Sequence, residues 1–116
     1  MKVGWLVISG VGLLAGCQAP VRPLYYWGHY EALTYQSYEK ADKATADIQV
    51  QLLEEDVQKA AAVNLPVNPG LHAQLGFMYA QLGKADLARR EFELEKTLFP
   101  ESAVFMDRLL NPAKTP

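Results

Sequence analysis

Between residues 43 and 110, apolar side chains recur every three or four positions, and no stretch of strand length alternates apolar with polar. Both observations argue for helices. Ala46, Val50, Leu53, Val57 and Ala60 form one stripe and predict a helix over about 43–63. The segment from Asn64 to Pro69 interrupts it. Asn68 and Pro69 then read as the cap and start of a second helix running through Leu82, with Leu71, Leu75, Met78, Tyr79 and Leu82 sharing a face. Gly83 ends that helix. A third, over about 85–98, carries Leu87, Ala88, Phe92 and Leu98, and Pro100 closes it. Ser102 to Leu110 predicts a short last helix with Phe105, Met106, Leu109 and Leu110. The expected architecture is all-α, with about three to four helices over residues 43–110 and a short tail at 111–116.

Two helices joined at a glycine, with proline at the far end, resemble one tetratricopeptide repeat over residues 69–102. With Pro69 as the first position, Leu75 and Gly76 fall at the Leu-Gly pair and Tyr79 at the tyrosine. Gly83 falls at the turn, Ala88 at the alanine, Phe92 at the phenylalanine and Pro100 at the proline. Gly76 and Ala88 let two backbones approach, and Tyr79 and Phe92 fill the space beside them. His72 and Glu95 depart from the pattern and loosen the match at the outer ends of the helix pair without removing its centre. Pro66 precedes Pro100 by one 34-residue period, but Ala41, Thr45, Glu54 and Gln58 occupy the earlier signature positions, so any preceding repeat is degenerate. Arrays of this class usually need about three repeats to bury a continuous core. A shorter one is either marginal alone or completed by a partner. The resemblance implies a concave face lined by Ala73, Gln74, Phe77, Ala80 and Gln81, with Phe77, Gln74 and Gln81 as partner contacts. The alternative for Phe77 is packing on the helix at 43–63 or on the aromatic segment that precedes it.

At the amino terminus, Lys2 is followed by an apolar run from Val3 to Leu14. That run is too short to span a bilayer, which takes about 20 residues, and suits the core of a secretory signal. It closes on Leu14-Ala15-Gly16-Cys17, and Cys17 is the sole cysteine of the chain. The tetrapeptide resembles the lipobox of bacterial lipoproteins. The resemblance implies a signal over residues 1–16, cleavage between Gly16 and Cys17, and a covalent lipid on Cys17 as membrane anchor. Gln18, where aspartate would favour retention in the inner membrane, implies the outer membrane with the domain in the periplasm. The alternative is an ordinary secretory signal with an incidental cysteine. Residues 17–23, with two prolines, read as an extended tether. An aromatic-rich segment follows over 24–42, holding Tyr25, Tyr26, Trp27, Tyr30, Tyr35 and Tyr38. Such rings suit packing on the domain, on a partner surface or in a lipid headgroup zone, and Tyr25, Tyr26 and Trp27 are candidate contacts.

The formal charge of -2, or -3 once Lys2 is removed, gives no electrostatic support for nucleic-acid binding. Glu54-Glu55-Asp56, the densest acidic run, reads as a solvated helix face. The chain's two histidines, His29 and His72, have no acid or second histidine at a metal-ligand spacing, so no metal site is expected and His72 reads as structural or surface. Asp86 and Glu91 sit where a helix start and a helix surface accept acids. Ser9 and Ser102 lack the context of an activated nucleophile. Gly10-Val11-Gly12 falls inside the signal. The sequence therefore argues against an enzyme and for no cofactor beyond the lipid.

Tyr26-Trp27-Gly28, Pro69 to Gly76, Glu95 to Ser102 and Phe105-Met106-Asp107, taken in order, are similar to an uncharacterised family of short proteobacterial lipoproteins. Its members are often encoded beside a CsgG-like lipoprotein and a second lipoprotein, which implies assembly into a cell-envelope complex. The expected function is that of a lipid-anchored adaptor or assembly factor for another envelope protein. The competing expectation is a structural lipoprotein associated with the cell wall.

Overall fold

A computed structural model of the chain describes residue 4 and residues 16–114. Most of the signal reading, including the run from Val3 to Leu14, therefore lies outside the described residues, as does the end of the tail. The helices are α1 (Tyr30–Glu39), α2 (Ala46–Ala62), α3 (Leu71–Gln81), α4 (Ala85–Leu98) and α5 (Ala103–Leu110). Short 3-10 turns at Ala41–Lys43, Pro100–Ser102 and Pro112–Lys114 connect or follow them. The all-α expectation holds.

Helices α2 to α5 fall where periodicity placed them, whereas α1 lies inside the segment read only as aromatic. Its apolar residues do not gather on one face: Leu33 is buried, while Tyr35 and Tyr38 point to solvent. A periodic pattern cannot announce a helix that buries so little. Helix α3 also begins later than expected. Asn68 is fully buried, and its side-chain amide donates to the Pro69 carbonyl at 3.1 Å instead of accepting from a helix N–H. The chain turns at Gly70, whose φ of +95° suits glycine, and α3 starts at Leu71.

Helices α3 and α4, separated by Leu82, Gly83 and Lys84, pack along their lengths as an antiparallel pair. Contacts pair Gly70 with Glu95 and His72 with Glu91, in reversed order along the two helices. Gly76 faces Phe92 so closely that a Cβ there would collide with the ring. The close approach read for Gly76 and Phe92 is thus observed, and Ala88 and Tyr79 are buried in the same core. Helix α2 packs on α3, and α5 closes on α4. The core joins Leu53, Leu71, Leu75, Tyr79, Phe92 and Met106, with Leu33 and Val67 at its edge.

The buried edge of α2 is not the apolar stripe alone. Gln49, Leu53, Asp56 and Ala60 are the buried positions, because α1 and residues 26–29 lie along that side. Gln49 is held on every side. Its amide donates to the Ala44 carbonyl at 2.6 Å and to Ser37 Oγ at 3.1 Å, and its oxygen accepts from Gln74 at 2.8 Å.

Candidate functional site

The acids are the first surprise. Asp56, expected on a solvated face, is fully buried. Its Oδ2 accepts the His29 backbone N–H at 2.7 Å, and its Oδ1 lies 2.8 Å from His29 Nδ1. Gly28, with φ of +47°, sits against that carboxylate where a side chain would collide. Of the three acids only Glu55 keeps a simple surface role, pairing with Lys59 one turn away at 2.5 Å. Glu54 accepts from the Tyr79 hydroxyl.

Glu91, expected on a surface, is buried opposite His72, with Nδ1 to Oε2 at 2.7 Å, while Arg90 donates to its other oxygen at 2.8 Å. Burial alone would raise the Glu91 carboxyl. The bonds from His72 and Arg90 outweigh it and leave the group below its ordinary value. Glu95 is buried too. Its carboxylate accepts the Gly70 N–H at 2.7 Å and the Ala73 N–H at 3.3 Å, and so caps the N-terminus of α3 from the neighbouring helix. Tyr30 leans over the same Gly70, and burial together with the Glu95 charge raises its hydroxyl above the ordinary value. The two departures from the repeat pattern therefore bind the far ends of the helix pair together.

A cleft of about 350 Å³ between α2, α3 and α4 is lined by Glu54, Val57, His72, Leu75, Arg90 and Leu94, among others. Its acids are already engaged: Glu91 by His72 and Arg90, Glu54 by Tyr79. Among the described residues no group of three or more His, Cys, Asp or Glu side chains is arranged to hold a metal ion. These side chains are built to hold helices together.

The contact candidates divide into two places. Phe77 stacks edge-on against Phe92 at 5.5 Å and against Phe105 at 6.3 Å, so its ring faces α4 and α5. Phe92 is buried, Phe77 half-buried and Phe105 51 % exposed, so the three rings form a row leading from core to surface. Val104, 69 % exposed, stands next to its outer end. Gln74 is tied to Gln49, whereas Gln81 and Ala80 are exposed. Nearby, a cleft of about 440 Å³ runs between Ala80, Gly83, Ala88, Phe92 and Leu109. Phe105 entered the sequence reading only as a residue of the last helix. Its value as a contact depends on the orientation of α5, which no local pattern supplies.

At the other place, Tyr25 stands edge-on to both Trp27 (6.4 Å) and Phe99 (6.0 Å). Tyr26 pairs with Val67 in an isolated parallel bridge, its N–H donating to the Pro66 carbonyl at 2.8 Å. Of the three readings for the aromatic segment, packing on the domain describes Tyr26 and Tyr30, while Trp27, Tyr35 and Tyr38 remain exposed. Cys17 is exposed and unpaired by any disulfide, and Gly16 beside it is exposed. No described helix is long and apolar enough to cross a membrane.

Residues 24–109, which take in the aromatic run and nearly all of the helical region, match DUF4810, a domain of unknown function. The chain belongs to the DUF4810 family. No curated protein and no solved structure matches it. The DUF4810 match begins at the aromatic run and leaves Cys17 outside. Within it lie both buried acid pairs, the Glu95 cap and the row from Phe92 to Phe105.

Proposed function

We propose that the protein is a lipid-anchored adaptor or assembly factor that holds another cell-envelope protein through the face formed by α3 and α5. The observation that carries this reading is Phe105, half-exposed at the end of an aromatic row that begins in the core. Phe77 fixes it from behind, so Phe105 loses little freedom on binding. Rigid aromatic rings at the centre of a patch supply most of the affinity in many interfaces. Gln81 and Val104 offer polar and apolar contacts around it. The short tetratricopeptide-like array supports the same reading, since such arrays bury their end faces on a neighbour. The lipobox-like tetrapeptide supports an anchor at Cys17 and, with Gln18, an outer-membrane location facing the periplasm. A CsgG-like lipoprotein is the partner that the family resemblance favours.

The test is crosslinking in intact cells, detergent extraction through a tag after Pro116, and mass spectrometry of the product. One stoichiometric envelope protein is expected. It should be lost with Phe105→Asp while the helical content and melting of the chain stay unchanged. Recovery with the cell wall alone, or as a bare monomer, would overturn the adaptor in favour of a structural lipoprotein.

A further inference from the structure

We infer that the face carrying Val21, Leu24 and Trp27 rests in the headgroup layer of the membrane to which Cys17 is anchored, so that the domain is held in one orientation to the lipid surface. This rests on the anchor at Cys17 proposed above.

The first support is the path of the chain. Residues 22–29 are pinned to α2 and to the loop after it at three points. Arg22 Nη2 donates to the Asn64 carbonyl at 3.1 Å and reaches the Val63 carbonyl at 3.5 Å, beside the last turn of α2. Tyr26 N–H bonds Pro66, and His29 bonds Asp56 at two atoms. Cys17 stands five residues before Arg22, and five extended residues span at most about 18 Å. Pro20 lies within that short stretch and stiffens it. A lipid on Cys17 thus brings this face of the domain to the membrane.

The second support is composition. Val21 is 93 % exposed, Leu24 80 %, Trp27 42 % and the neighbouring Val63 51 %. Trp27 is held at the rim by Tyr25 and Tyr30, whose ring centroids each lie 6.4 Å from its own. Tryptophan and tyrosine with apolar bodies and polar tips favour the interfacial zone of a bilayer. The third support is charge. In a chain of net charge -2, residues 17–30 contain no Asp or Glu, and they hold Arg22 and His29. Of the Glu54-Glu55-Asp56 run on adjoining α2, Asp56 is buried under His29, Glu55 is paired with Lys59 and Glu54 accepts from Tyr79. Lipid phosphates meet no unpaired carboxylate from this run.

Trp27 is the sole tryptophan of residues 17–116, so its fluorescence reports on this face directly. The protein isolated from membranes is reconstituted into phosphatidylethanolamine/phosphatidylglycerol vesicles, with or without lipid brominated near the headgroup or deep in the acyl chain. A blue shift of Trp27 emission is expected, with greater loss to the shallow bromines than to the deep ones. Leu24→Glu should reverse both while leaving the circular dichroism unchanged. Equal emission in plain and brominated vesicles, with Cys17 acylated by mass spectrometry, would overturn the inference. So would shielding of Trp27 that needs a bound envelope protein and not lipid. Should Cys17 prove unmodified in cells, the anchor reading fails by itself. Coupling the Trp5→Phe chain through Cys17 to a maleimide lipid then tests the face independently.

Discussion

The two helical hairpins hold together by different means. In α3–α4 a three-residue turn brings the helices together, Gly76 lets the Phe92 ring lie against the α3 backbone, and two buried acids clamp the far end. In α1–α2 the connection is longer, α1 buries Leu33 alone, and the joints are directional: Ser37 with Gln49, and His29 with Asp56. One hairpin is a packed core. In the other, α2 shares that core through Leu53 and Ala60, while α1 is fastened to it by Leu33 and by hydrogen bonds at named points, which makes α1 the part that should open first.

The largest expected effect breaks the packed half. Phe92→Ala removes the ring that fills the gap beside Gly76, and buried Phe→Ala changes cost about 3–5 kcal/mol. Leu33→Ala, in the fastened half, belongs at the low end of the range for buried leucine, about 2 kcal/mol. Urea denaturation of the two variants measures both. Equal losses would mean that α1 is packed as tightly as α4, and the contrast between the hairpins would fall.

Asp56→Ala attacks a fastening. It leaves the His29 N–H without its acceptor, at a cost of about 1–3 kcal/mol. The accompanying signature is local: amide exchange should quicken over residues 26–39 and stay slow across α3–α4. Uniform quickening would show that the first hairpin and the core open as one unit. Glu95→Ala is the matching test on the other side. It removes the cap of α3, worth about 1–2 kcal/mol by analogy with other N-terminal caps, and its exchange signature should sit at residues 70–74. Gln at position 95 should recover part of the loss, since an amide oxygen still accepts a hydrogen bond.

How far the sequence disclosed this arrangement follows from the same contrast. The packed half was legible because it is periodic: Leu71, Leu75, Tyr79, Ala88 and Phe92 repeat at helical spacing, and Gly76 marks a close approach. In the fastened half α2 was legible for the same reason, but α1 and its ties were not, because those ties are single polar contacts between residues far apart in the chain, such as His29 with Asp56, 27 positions on. A run of three acids gives no sign that its third member faces inward when the group that covers it is a backbone N–H from another segment. His72 and Glu95 were noticed as departures from a repeat, and the departure was the signal. Polar residues at positions that face a neighbouring helix must find partners there, and Glu91 and the Gly70 N–H are those partners. The row from Phe77 to Phe105 stayed hidden for a different reason: periodicity orients a ring around its own helix and says nothing of how α5 is set against α3.

The smallest effect concerns acid, and it separates the two buried clamps of the packed half from mere packing. Glu91 is held below its ordinary value because the bonds from His72 and Arg90 outweigh the burial that would raise it. The unfolded chain carries this glutamate near its usual value of about 4.3. Above that value the folded state gains from the ionised carboxylate, so the contribution is full near neutrality. As pH falls past about 4.3 the unfolded chain takes up a proton that the folded chain still refuses, and the contribution shrinks until the lowered folded value is passed. Stability of the native chain should therefore fall more steeply on acidification through this window than that of Glu91→Gln, which has no proton to gain. Arg90→Gln should give an intermediate slope, because it removes one of the two donors and leaves His72 in place. The denaturation midpoint followed against pH for the three chains decides it. Parallel curves would mean that Glu91 keeps the same affinity for its proton in both states, leaving packing of the Gly76–Phe92 kind as what holds the hairpin together across the whole acid range.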